Sequence, residues 1–177
     1  MATLPTVSSW VAAQKITATK LNAIHTYIDF LYDPPRCRVY NSAGESCADG
    51  TAKLLSFDTE DYDTDTMHSA GNPSRVTANL DGDYRIEFYV KLPSATYSAI
   101  DLNLRKNAAG ASGGGTSLFT HETTAGSGNA ISVWHSIDLF LTSGDYVEIF
   151  CTQTSGASRT TTAGNGATGM ALTWLRP

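Results

Sequence analysis

The chain has 177 residues, of which 41% are hydrophobic and only 16% charged, with a net charge of −5. That length suits one domain with a short appendage, and it is enough to bury a core without metals or disulfides. No window approaches the roughly 18 consecutive apolar residues of a membrane-spanning helix, and the acidic balance lacks the basic footprint of a nucleic-acid binder.

In chain order, Met1 to Trp10 lacks a basic region followed by an apolar stretch, so no secretory signal is expected. Leu4, Val7 and Trp10 make this segment an extended apolar arm. Leu21, Ile24, Ile28 and Leu31 then fall at spacings of three, four and three, the a/d stripe of a short helix. Thr17 or Thr19 suits its cap, and Pro34-Pro35 stops it, because a residue before proline avoids the helical region. Two heptads do not hold together alone. The stripe must pack on its own domain, on a symmetry mate or on a larger assembly. The prolines divide the chain into an arm and helix over 1–35 and a β domain over 36–177.

After the prolines the hydrophobic period becomes two. Tyr84, Ile86, Phe88, Val90 and Leu92 alternate with Arg85, Glu87, Tyr89 and Lys91, which predicts a half-buried strand opened by the turn at Asp81-Gly82-Asp83. Ile100 to Leu104, Ile131 to Leu141, Val147 to Cys151 and Met170 to Trp174 repeat the pattern, with Trp134 and Phe140 on the far face of theirs. Shorter candidates are Arg38 to Tyr40, Leu54 to Phe57, Arg75 to Ala78 and Leu118 to His121. The Gly/Ala-rich segments Ala108 to Gly115 and Ala163 to Gly169 fit long loops. The expected class is all-β: an antiparallel jelly-roll sandwich of about eight to ten strands, behind an extended arm and one short helix.

Signals for chemistry are few. Asp61, Asp63 and Asp65 imitate the first ligand positions of a calcium loop. Thr66 stands where that loop needs glycine and Asn72 where it needs the bidentate Glu, so a solvated loop that hydrogen-bonds its own backbone is expected instead. On that reading, Asn at these three positions changes little. The four histidines show no metal spacing. No nucleophile elbow or phosphate loop occurs. No enzyme activity, cofactor or metal is expected. Cys37, Cys47 and Cys151 form no disulfide framework: Cys37 and Cys47 could close a short loop, and three reduced thiols are the plainer reading.

Leu55 to His68, then Asn72-Pro73-Ser74-Arg75-Val76-Thr77, then Gly82-Asp83-Tyr84, resembles a module of virion proteins of tailed bacteriophages, those of actinobacteria above all. The module is similar to the jelly roll of tumour necrosis factor and the complement globular heads. Gly82-Asp83-Tyr84 and Gly144-Asp145-Tyr146-Val147 match strand openings of that fold, and Met170 to Leu175 fits its final strand. Trp10, Thr17-Ala18, Leu21-Asn22 and Pro34-Pro35 resemble the leader of such virion proteins. The resemblance implies a homotrimer with an aromatic sheet face around its threefold axis, for which Tyr84, Trp134, Tyr146 and Trp174 are the candidates. It implies attachment to a major capsid protein through Leu4, Val7, Trp10, Leu21, Ile24, Ile28 and Leu31. The function implied is a capsid decoration protein on the virion surface, assembled in the host cytoplasm. The alternative is a minor tail or fibre protein that binds a host receptor or glycan, with tail proteins as partners. Neither nucleic acid nor membrane is an expected partner.

Overall fold

The computed structural model describes residues 4, 5 and 13–177. Helix α1 runs over Ala18–Tyr32. Thr17 is its cap: the residue is extended and its hydroxyl accepts from the Lys20 N–H at 3.4 Å. The helix ends where the Asp33 N–H closes the last turn on the Asp29 carbonyl, just before the two prolines. None of its residues is buried.

Ten strands follow: β1 Arg36–Tyr40, β2 Ser46–Cys47, β3 Lys53–Leu54, β4 Thr59–Asp63, β5 Val76–Thr77, β6 Gly82–Lys106, β7 Thr116–Leu141, β8 Tyr146–Thr154, β9 Arg159–Thr160 and β10 Gly169–Arg176. The strands expected separately at 84–92 and 100–104 are one strand, β6, and those at 118–121 and 131–141 are one strand, β7. The two pair antiparallel along their whole length, and the ladder shifts register three times between Leu92 and Ile100. Pro93 removes a ladder donor in that stretch, and each shift bends and twists the pair. The bend carries the ladder from one layer of a sandwich to the other.

Each half of β6 recruits its own neighbours. In the first layer β6 pairs with β10 through Asp83 to Tyr89, and β10 pairs with β1 and β1 with β4. In the second layer β6 pairs with β8 through Ala99 to Lys106, and β8 carries β3 and β5. The inward sets expected from alternation fill the space between. Tyr84, Ile86, Phe88, Leu92, Ile100, Leu102, Leu104, Met170 and Leu172 are all buried. Each such side chain contributes about 1.5–3 kcal/mol of burial. The acidic segment expected to be a solvated loop is instead the edge strand β4. Its backbone completes the β1 ladder while its carboxylates find local donors.

The Gly-Asp-Tyr opening has a packing cause. Gly82 has φ +152°, and a Cβ there would collide with the Arg176 carbonyl and the Trp174 indole nitrogen. The Tyr84 hydroxyl then reaches back to donate to the Leu80 carbonyl at 3.0 Å. Burial pushes its phenol up to about 12, against the pull of the Leu80 N–H, which donates to the phenol oxygen at 3.3 Å.

The second opening, at Gly144-Asp145, has an electrostatic cause. Gly144, at φ +94°, makes the turn from β7 to β8. The Asp145 carboxylate accepts from the Thr142 N–H at 3.0 Å, the Thr142 hydroxyl at 3.1 Å, the Asn107 amide at 2.7 Å and the Lys106 ammonium at 3.1 Å. Burial pushes this carboxyl up, but those donors outweigh burial and hold it at about 2. Free aspartate lies near ~3.9, so the unfolded chain takes the proton first. The stabilisation is therefore complete above about pH 4 and is lost as the pH falls towards 2, an effect on the order of 2 kcal/mol. Asp145→Asn is expected to lower stability at pH 7 by about 1–2 kcal/mol and to lose less on acidification than the wild type does. Urea unfolding at pH 7 and pH 2.5 measures both, and equal acid sensitivity of the two proteins contradicts this role.

Candidate assembly surfaces

Alternation on the first layer sends one residue set to the core and the other to a broad outer face. Register places Tyr89 beside Trp134 and Gly169, Glu87 beside Ala171 and Ser136, and Asp83 beside Phe140. Trp134 is 61% exposed, Phe140 56% and Leu175 40%. Gly169 is bare for a reason: a Cβ there would strike the Tyr89 hydroxyl and the Val39 carbonyl, so its absence lets the tyrosine lie across β10.

A concavity of about 390 Å³ sits on this face, lined by Arg38, Tyr62, Glu87, Tyr89, Trp134 and Ala171 among others. Arg38 organises it. Its guanidinium donates to Asp61 at 3.2 Å and to the Tyr89 hydroxyl at 3.5 Å. A register shift between Arg38 and Val39 makes Asp61 the extra residue of a β-bulge, and the bulge swings that carboxylate onto the face. Arg85 grips Asp138 through two nearly parallel hydrogen bonds of 2.9 and 3.0 Å lower on the same face.

The second layer differs. Its outer surface carries polar side chains such as the Asn103, Ser117 and Thr120 cluster, where the Asn103 amide donates at 3.2 and 2.6 Å. Among the described residues, the exposed large hydrophobic side chains are Trp134, Phe140 and Leu175 on the first layer and seven in the N-terminal segment. Leu21, Ile24, Ile28 and Leu31 are 37–57% exposed, and none of the described helix residues is buried. The helix meets the sandwich through Phe30, edge-on to Trp174 at 5.2 Å between ring centroids. Leu4 is exposed as well, while Val7 and Trp10 lie outside the described residues.

The four aromatic residues expected at a subunit interface separate. Trp134 is on the outer face. Tyr84 and Trp174 are core residues of the single chain, because their phase on β6 and β10 turns them between the layers. Tyr146 sits at the edge of the second layer, where Arg75 lies 4.2 Å over its ring and the Ala109 N–H donates to its hydroxyl. Arg75 also pairs with the fully buried Glu148 at 3.1 Å, so Tyr146 covers an internal ion pair. Phe140, Tyr89 and Tyr62 are the face residues missing from that set. Phe140 shares the phase of Trp134 on β7, which is the sequence signal that identifies it.

The three aspartates do not converge, and among the described residues no group of three His, Cys, Asp or Glu side chains could hold a metal. Asp61 faces Arg38. Asp63 accepts from the N–H groups of Asp65, Met67 and His68 at 3.2, 3.0 and 2.9 Å, tying down a turn in which Thr66 has φ +57°. The Asp65 backbone carbonyl accepts from the Asn79 amide.

Two histidines that show no useful spacing along the chain do meet. Nε2 of His135 and Nδ1 of His121 are 2.8 Å apart, with the Phe119 ring tilted against His135 at 4.5 Å between centroids. Burial, then His121, hold His135 below its ordinary value.

Asp63 is more than a solvated side chain, so Asn is not neutral there: it keeps one acceptor and turns an NH2 group towards N–H donors. Asp63→Ala is expected to cost about 1–3 kcal/mol and Asp63→Asn less, whereas Asp61→Asn stays within about 0.5 kcal/mol. Thermal unfolding of the three variants distinguishes them.

No protein-family model matches the chain, and no curated protein sequence does. Solved structures do match in shape. Murine APRIL superposes with a TM-score of 0.61 at 13% identity, covering 80% of this chain and 98% of that one. The globular domain of zebrafish complement 1qA protein gives 0.55 at 15% identity, over 80% and 96%. Eiger TNF from S. frugiperda gives 0.53 at 15%, over 80% and 93%. At such identities the likeness concerns the path of the backbone, and the chain folds as a jelly roll like those of tumour necrosis factor and complement 1q, with one helix ahead of it.

Proposed function

We propose that this chain is a structural protein of the tailed-bacteriophage virion: a homotrimeric decoration protein that stabilises the head. Copies associate through the outer face of the first layer, and the arm and helix attach the trimer to the major capsid protein. The observation that carries this reading is the segregation of exposed apolar side chains to the helix segment and to one of the two sheet faces. A monomer gains nothing from such a distribution. Burial of that surface between subunits contributes about 25 cal/mol per Å².

β7 is the edge strand of both layers, so its outer backbone is also available to a neighbouring copy. The ordered pieces from Leu55 to Tyr84 and the leader with Trp10 and Pro34-Pro35 support the virion setting. The three cysteines, unpaired in the structure, suit assembly in a reducing cytoplasm. The same surfaces serve a tail or fibre protein, and stoichiometry separates the two settings.

Light scattering of the purified chain is expected to give three times the 18.9 kDa monomer. Replacing Trp134 and Phe140 with Asp is expected to leave a folded monomer with the same far-ultraviolet circular dichroism. A wild-type monomer, or a trimer indifferent to both changes, contradicts the face assignment. Replacing Ile24 and Ile28 with Asp is expected to keep the trimer and to lower occupancy on purified particles at least tenfold; full occupancy removes the helix as the anchor. Quantitative mass spectrometry of virions is expected to find hundreds of copies. A handful, in multiples of three, assigns the chain to the tail or a fibre.

A further inference from the structure

We infer that Cys47 and Cys151 form an internal cross-link on oxidation, a disulfide that staples the β2 segment onto β8. This inference does not depend on the virion role. Spacing along the chain suggests Cys37 and Cys47 as a pair, but the fold brings together a different pair. Asp49 and Gln153 form an isolated parallel bridge between the two segments. Gln153 and Cys151, two residues apart on β8, both point inwards with no exposed surface, and the buried Cys47 stands two residues before Asp49 on the bridged segment.

Other contacts hold the two segments together. The Gln153 amide donates to the Cys47 carbonyl at 3.1 Å, and the Gly50 N–H donates to the Gln153 carbonyl at 2.8 Å. The Asp49 carboxylate accepts from the Ser155 and Gly156 N–H groups at 2.8 and 2.9 Å. Both cysteines have no exposed surface. The Cys47 thiol, followed by burial, pushes the Cys151 thiol up. Cys37 is elsewhere, between Leu172 and Asp63 in the first layer, where burial and then Asp63 push its thiol up.

The chemistry balances with a named oxidant. The two thiols lose two protons and two electrons as the S–S bond forms. Diamide takes up both and becomes the hydrazine; dioxygen does the same in aerated medium and becomes hydrogen peroxide. In a reducing compartment the pair stays as thiols. Access comes from local opening, since the β2–β9 ladder is two residues long and separates more readily than the main ladders. The bond closes a loop of about a hundred residues, and it stabilises the protein chiefly by restricting the unfolded chain.

The test uses the full reduced chain, treated with diamide in native buffer, then alkylated and examined by intact mass and peptide mapping. The expected result is the loss of two hydrogens, one linked peptide pair holding Cys47 and Cys151, alkylation at Cys37 alone, and a Tm raised by about 5–15 °C. Cys37→Ala is expected to keep the mass loss, and Cys47→Ala and Cys151→Ala to abolish it. Should either of the last two fail to fold, the peptide map of the native chain decides. Three alkylated thiols after oxidation of the folded chain, a link that includes Cys37, or a link between two chains overturns the inference.

Discussion

The β6–β7 ladder is the element on which the rest of the molecule is assembled. Its two strands, 25 and 26 residues long, run through both layers. Every other main-sheet strand attaches to it directly or through one or two neighbours: β10, β1 and β4 on one half, β8, β3 and β5 on the other. The bend between Leu92 and Ile100 folds the ladder over on itself, so the inner faces of the same two strands become the two walls of the core. Phe88 of one half and Phe119 of the other meet in a T-shaped contact, 6.1 Å between ring centroids, across that interior. The energetic gain is hydrophobic burial, and the bend makes the burial geometrically available.

This arrangement leaves β7 at the margin of both layers, with one face of its second half turned outwards. Trp134 and Phe140 stand on that face, and the helix stripe is exposed in the same chain. Large apolar side chains gathered in this way mark a surface meant to be covered. Among the described residues the polar Ser, Thr and Asn surface of the second layer carries none, and this asymmetry gives the assembly proposal its direction. The face is also sculpted, since Gly169 accommodates Tyr89 and the Asp61 bulge brings a carboxylate to Arg38.

Elsewhere polar groups do structural work inside the protomer. Glu148 is fully buried and held by Arg75, Ser74 and the Gly110 N–H at 3.1–3.3 Å. An unpaired carboxylate there would be strongly destabilising, which accounts for an arginine that spans an ion pair and an aromatic ring at once. His121 and His135 lie on the two halves of β7, and the same bend that builds the core brings them into contact. The segments that carry Cys47 and Cys151 are likewise brought together by topology, through the isolated Asp49–Gln153 bridge.

Local pattern in the amino-acid sequence determined the all-β class, the capped helix with its apolar stripe, and the inward sets of 84–92, 100–104 and 131–141. Those features follow from side-chain periodicity and from the chemistry of Pro, Gly and Thr, which act over a few residues. The glycines and aspartates of the two strand openings were legible too, although their causes, the Trp174 indole and the Lys106 and Asn107 donors, come from distant segments. Tertiary structure alone decided that pairs of predicted strands are single bent strands, because a bend follows from pairing and not from composition. It alone decided that Tyr84 and Trp174 are buried between the layers rather than offered to a partner, and that the far face of β7 with Trp134 and Phe140 stays uncovered by the described residues, since alternation fixes relative phase but not what covers each face. Which cysteine meets which, and which histidine, was settled the same way: residues 104 and 14 positions apart become neighbours only after the layers close.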